Sequence, residues 1–239
     1  MKNDENSACL TRQDRIWDYY QNQAPEAFAQ SKPRLDFLIK QISQKMLVPM
    51  PRILNIGVGN GYFEETVRQR GWKMQSLDPD KKTINRLVEK GFKAQKGVIE
   101  QIPFDDTGFD FVTASEVLEH LDDEQRHKGL QEVARVLKGG GWFLGTVPYR
   151  EDLFVNRVIC PKCEEVFHRW GHQKSFDAKA MRNELEPFFE DVGVRTTAFV
   201  PFRRQSVTRA IKSLVYLIRA KYGANLATTS IYFSARNGQ

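Results

Sequence analysis

Blocks of apolar positions alternate with amphipathic stretches along most of the chain. Residues 53–56 (Ile-Leu-Asn-Ile) read as a short strand, followed by glycines at 57, 59 and 61 and then a helical pattern through Glu64, Val67 and Arg70. A second strand, over 72–77, closes on Asp78-Pro79. A helix is expected over 81–90 with Gly91 as its C-cap, then a short strand over 92–95. The nearly continuous apolar run 109–114 is of the kind buried in a parallel sheet. Leu130, Val133, Ala134 and Leu137 mark the next helix, and Gly139-Gly140-Gly141 is expected to break it before a strand over 142–147. Upstream, Leu35, Leu38, Ile39, Ile42 and Met46 recur at helical spacing behind Pro33, which suits a first turn. Residues 191–200 and 227–235 are further strand candidates. Between them Val207, Ile211, Leu214, Val215 and Ile218 share one helical face, with Arg209, Lys212 and Arg219 on another. Strand and helix alternate five times, which argues for an α/β fold with a right-handed parallel sheet covered on both faces.

Composition narrows the class. A chain of 239 residues is one large domain or one domain with an insert. Hydrophobic residues at 41% and aromatics at 11% describe a globular rather than a disordered chain. No apolar run approaches the roughly 20 residues of a membrane span. Residues 1–6 are polar and lack the apolar stretch of a secretion signal. Three cysteines are too few for a disulfide framework and fit a reducing compartment, so a cytoplasmic location is expected. The net charge of +6 permits an anionic partner without requiring one. No basic motif interleaved with aromatics points to nucleic acid.

The candidate chemistry begins at the glycine turn. Glycine admits positive φ and lets a ligand approach the main chain without meeting a Cβ. A dinucleotide site has G-x-G-x-x-G, because the pyrophosphate sits on the helix N-terminus; the pattern here, Gly57-Val58-Gly59-Asn60-Gly61, is G-x-G-x-G. That spacing disfavours a nicotinamide oxidoreductase. Asp78, at the end of the second strand, would hydrogen-bond the two ribose hydroxyls of a nucleoside.

At these residues the chain resembles the class I S-adenosylmethionine (SAM)-dependent methyltransferases, whose first motif is an apolar strand, an acidic residue and G-x-G-x-G. Asn55 stands where that family usually has Asp or Glu. The resemblance continues through Ile102-Pro103-Phe104, Phe109-Asp110, Glu116-Val117-Leu118-Glu119-His120-Leu121 and Arg135-Val136-Leu137-Lys138-Gly139-Gly140. Over roughly residues 50–148 it looks like small-molecule methyltransferases of the quinone-biosynthesis and sugar-modifying type. It implies a Rossmann-like fold with a mostly parallel seven-stranded sheet, helices on both faces and a final antiparallel strand tucked into the sheet. It also implies SAM as cofactor, held by Asn55, Gly57, Val58, Gly59, Gly61, Asp78, Pro79, Ile99, Glu100, Ser115 and Glu116. Val98 stands where many relatives have an Asp for the adenine amine, which leaves the base to backbone near Ile99 or to Glu100.

The chain then divides into an N-terminal helical segment (1–48), a SAM-binding core (49–148), an insert (149–176) and a C-terminal part of the sheet (177–239). The first segment carries Trp17, Tyr19, Tyr20 and Phe28, read chiefly as packing on the core, with a cover over the ligand as the other reading. The insert contains Cys160-Pro-Lys-Cys163 and His168-Arg-Trp-Gly-His172, a C-x2-C-x4-H-x3-H spacing compatible with a tetrahedral Cys2His2 zinc site. Three readings stand: structural zinc on Cys160, Cys163, His168 and His172; a histidine base, His168 or His172, for an accepting hydroxyl; or buried thiols and hydrogen-bonded histidines with no ligand. His120 is a further base candidate, or a hydrogen-bonding support. The leading expectation is methyl transfer to a small or lipid-linked acceptor at oxygen. The rivals are a nucleic-acid or protein methyltransferase and a non-catalytic module that binds SAM or zinc. The basic C-terminal helix either lies on an anionic membrane surface or packs its apolar stripe on the domain.

Overall fold

A computed structural model describes residues 12–199, 215, 218 and 229–238. The helices are α1 (Arg12–Asp18), α2 (Lys32–Lys45), α3 (Tyr62–Gln69), α4 (Lys81–Glu89), α5 (Asp123–Val136) and α6 (Ala178–Leu185). The strands are β1 (Arg52–Ile56), β2 (Lys73–Asp78), β3 (Ala94–Lys96), β4 (Phe109–Ser115), β5 (Leu137–Pro148), β6 (Arg157–Ile159), β7 (Val166–His168), β8 (Gly193–Ala198) and β9 (Thr229–Arg236). Seven strands form one sheet in the order β3-β2-β1-β4-β5-β9-β8. The first five are parallel, and β9 runs antiparallel to both β5 and β8. This is the Rossmann-like architecture that the motif order implied, antiparallel insertion included.

Successive residues of the central strands feed two cores, as the two-residue period of a strand requires. Ile53, Phe111, Leu144 and Tyr232 pack under α2 and α3 with Leu38, Ile39, Ile42, Phe63 and Val67. Their neighbours Leu54, Val112, Phe143 and Phe233 pack on the opposite face with Leu130, Val133, Met181 and Leu185 of α5 and α6. The helices start where the sequence supplies caps. Asp80 accepts from Thr83 N at 2.8 Å, Asp177 from Ala180 N at 2.8 Å, and Asp122 with Gln125 closes a capping box.

The glycine triplet behaves differently from expectation. α5 stops at Val136, Leu137 is already in β5, and Gly139-Gly140-Gly141 lie inside the strand rather than in a loop. Gly140 has φ 77° and the pairing of β4 with β5 slips between Phe109 and Phe111, so the glycines absorb a bulge. The insert leaves and rejoins the sheet at a parallel bridge between Tyr149 and Phe176, and holds the β6–β7 hairpin. The predicted basic helix over 207–219 lies outside the described residues, apart from Val215 and Ile218. Among the described residues no helix is long and apolar enough to cross a membrane.

Candidate active site

The carboxyl ends of β1, β2, β4 and β5 open into a cavity of about 1100 Å³. Of the eleven residues expected at a cofactor, all but Gly61 line it. The turn after β1 has φ 81°, 58° and 85° at Gly57, Gly59 and Gly61, a conformation that L side chains rarely adopt. A Cβ on Gly57 would also lie 2.8 Å from Val117 Cγ2, so the turn is closed to larger residues on steric grounds as well. Gly61 instead caps α3.

Asp78 is buried at the end of β2. Its Oδ2 accepts from Val58 N at 2.8 Å and from Gln21 Nε2 at 3.1 Å, and its Oδ1 from Asp80 N at 2.9 Å. Burial pushes its carboxyl up to about 6 although these donors act the other way. At neutral pH it is therefore an ionised acceptor facing a nucleoside-sized space. Glu100, expected to read the base, lines the cavity beside the buried Ile99, with its Oε1 engaged by Gln125 Nε2 at 2.9 Å.

Beneath the turn lies a polar network. Asn55 donates to Glu64 Oε1 at 2.7 Å and to Gly57 O at 3.3 Å, and its Oδ1 accepts from Thr113 Oγ1 at 2.9 Å. Ser76 Oγ donates to the same Glu64 oxygen at 2.9 Å. Complete burial raises Glu64 to about 7, well above an ordinary carboxyl. A native pKa above the unfolded one favours the protonated native state. This stabilisation is full below about 4.5 and is lost as pH rises through about 7. Across that window the wild type should lose on the order of 3 kcal/mol relative to Glu64→Gln, as denaturant titrations at a series of pH values will show.

The N-terminal segment covers the cavity rather than only packing on the core. Trp17, Tyr20, Gln21, Phe28 and Arg34 all line it, and a Cβ on Gly59 would lie 3.1 Å from the Phe28 ring. Arg34 Nε donates to Ser115 Oγ at 2.9 Å and lies 3.9 Å from Glu116 Oε1. Glu116 takes φ 56°, an uncommon strain for a non-glycine residue and one that clusters at functional sites.

The opposite wall gathers histidines and carboxylates. Glu151 Oε2 bonds His172 Nδ1, and its Oε1 lies 3.5 Å from His168 Nε2. Burial pushes Glu151 up, but the His172 hydrogen bond and the fields of both histidines outweigh it and leave the carboxyl below its usual range. An ionised carboxylate only accepts, so Nδ1 of His172 is the donor in this hydrogen bond. His168 accepts from His172 N at Nδ1, 3.1 Å away, and stacks on that ring with centroids 4.6 Å apart. His120 meets His172 edge-on at 4.5 Å. Burial, then the field of His172, holds His120 well below 6.5 and therefore neutral. Its Nδ1 lies 3.4 Å from the Gln13 amide. Glu119 is completely buried with neither carboxylate oxygen hydrogen-bonded; burial and the charge of Glu116 hold it well above the usual range.

The Cys2His2 set is not assembled, which corrects the zinc reading of the spacing. Among the described residues, the groups able to share a metal are Glu119, His120 and His172, and Glu151, His168 and His172; Cys160 and Cys163 belong to neither. The cause is the hairpin register. His168 pairs with Arg157 at its base, while the cysteines sit at the tip beyond Ile159 and Val166, roughly 10 Å away at 3.3 Å per residue. His168 is buried behind the cavity and does not line it, whereas His120 and His172 do. Sequence reading missed Gln21, Arg34 and Glu151 as site residues. Only Glu151 carried a signal, as an acid just past the fifth strand, where open α/β sheets bind ligands.

Comparison with known proteins agrees with this geometry. Residues 54–145 match a family model described as a methyltransferase domain. A ubiquinone biosynthesis O-methyltransferase of Xanthomonas oryzae is 31% identical over 156 residues, covering 61% of this chain and 62% of the relative. One from Bordetella avium is 29% identical over 152 residues, covering 57% and 62%. The match thus spans less than two thirds of these relatives. In fold, the chain is similar to one in the complex between the Haloferax volcanii Trm112 methyltransferase activator and a methyltransferase, with TM-score 0.65 at 17% identity over 96% of this chain and 100% of that one. It is also similar to phosphoethanolamine N-methyltransferase 2 of Haemonchus contortus, with TM-score 0.67 at 14% identity over 96% of this chain and 61% of that one.

Proposed function

We propose, from the premise that residues 54–145 are a class I SAM-dependent methyltransferase domain, that the chain is an enzyme methylating a hydroxyl oxygen of a small or lipid-linked acceptor. The observation that carries this reading is the Glu151–His172 pair in the wall of the cavity that the glycine turn and Asp78 also line. When bound, SAM supplies an electrophilic methyl group on a sulfonium. The chain's part is to hold the nucleoside through Asp78 and the backbone near Ile99, to align the acceptor, and to take its proton. His172 Nε2 is the base, and Glu151 fixes its tautomer and stabilises the imidazolium that forms, the logic of a nucleophile–base–orienter relay. The O-methyltransferase names of the relatives support oxygen as the target. A lipid-linked acceptor is supported by the cavity's size and by Val155 at its rim, which is 76% exposed beside the 73% exposed Phe154. The basic face predicted over 207–219 would meet an anionic membrane in the same reading.

A second reading is favoured by Glu119 alone. A buried carboxylate with both oxygens unpaired costs several kcal/mol unless it is protonated or meets a cation. Glu119, His120 and His172 would suit zinc or another divalent ion, whose chemistry would be to polarise the accepting oxygen. Calorimetric titration with SAM, followed by transfer assays on hydroxyl compounds of quinol and sugar type, tests the main reading; no binding at millimolar SAM removes it. Metal analysis separates the two. About one equivalent per chain, lost in Glu119→Gln, supports the cation, and transfer that persists in chelator excludes it.

A further inference from the structure

The network beneath the glycine turn contains a buried carboxyl that the methyl-transfer reading leaves unused. Glu64 is completely buried, and while its Oε1 accepts from Asn55 and Ser76, its Oε2 is buried without a hydrogen-bond partner. Asn55 faces both ways, since the same amide nitrogen that reaches Glu64 also reaches the carbonyl of Gly57. Asn55 and Gly57 line the cavity, and Glu64 lies one layer behind them. Asp78, the neighbouring buried carboxylate, differs in having both oxygens engaged by N–H donors. Away from water an ionised Glu64 keeps a field that solvent and salt screen poorly. Methyl transfer changes the cofactor's charge at one atom, from a cationic sulfonium to a neutral thioether. When ionised, Glu64 behind the turn therefore favours the donor over its product without touching either, whereas a structural strut would serve both equally.

We propose that Glu64, acting through Asn55, is the counter-charge of the cofactor turn and makes the site prefer the cationic methyl donor over its neutral demethylated product. The inference rests on the cofactor reading above and assigns Glu64 a positioning role. It also gives the site a means of shedding the demethylated product.

The test is calorimetric affinity for SAM and for S-adenosylhomocysteine near pH 8, above the value of about 7 at which Glu64 titrates. Glu64→Gln should weaken SAM about tenfold and S-adenosylhomocysteine by no more than about twofold. The exchange variant N55D/E64Q, which returns one charge to the pair and keeps its hydrogen bond, should restore the preference. It carries the test alone should the single variant not fold. Equal losses for both ligands, or an unchanged preference in Glu64→Gln, would overturn the proposal. Binding of neither ligand by the wild type removes the cofactor reading itself, a result distinct from a lost preference.

Discussion

His172→Gln should lower kcat for methyl transfer by about 10²–10⁴-fold, the usual contribution of a positioned general base, with cofactor affinity unchanged. Glu151→Gln should cost about 10–100-fold, because the amide still accepts from Nδ1 but no longer stabilises the imidazolium. The two losses should not add in the double variant, since the carboxylate acts only through the ring. His120→Gln is the control. That ring is neutral and its Nδ1 lies against the Gln13 amide, so its loss should disturb the packing of Trp17 more than the chemistry. Saturating SAM, a measured product affinity for each variant and the pH profile of kcat separate these cases. Retention of kcat within about threefold in His172→Gln, with the wild-type profile, would place the base elsewhere or show that none is needed.

What could be read in the chain beforehand follows from how local each feature is. The glycine turn and Asp78 were legible because each is a few consecutive residues whose chemistry depends on their own backbone. The position of β9 between β5 and β8 came only through resemblance, since periodicity marks a strand but not its neighbours. Glu64 reads in the sequence as part of a helical pattern, nine residues past Asn55, and nothing in the spacing says that it turns inward to meet Asn55 and Ser76. The Cys-His insert misled for a physical reason. Spacing along a chain measures contour length, and in a hairpin the contour doubles back, so His168 faces Arg157 while the cysteines occupy the tip. His172 then finds its acid 21 residues upstream at Glu151, and the buried Glu119 joins through the turn that also carries His120. Gln21 and Arg34 reach the site from the N-terminal segment by tertiary packing alone.

Asp78→Ala should weaken SAM and S-adenosylhomocysteine alike by about 10²-fold or more, since two hydrogen bonds to a charged acceptor are worth about 1.5–3 kcal/mol each. The wild type should show the same dependence through pH. The ribose hydroxyls, like the N–H groups of Val58 and Asp80, need an ionised acceptor, so binding expels the proton held by a carboxyl that titrates at about 6. Affinity should therefore fall about tenfold per unit as pH drops below that value, and flatten above it. Stability of the free protein runs the other way. The native pKa of Asp78 is raised from 3.8, so its contribution to folding is greatest below that value and is lost as pH rises through about 6. The free protein thus gives up stability over the range in which it gains affinity. Thermal shifts with saturating S-adenosylhomocysteine should accordingly be larger near pH 8 than near pH 5. A shift that is flat across that range, or larger in acid, would mean that Asp78 does not meet the ligand as a carboxylate.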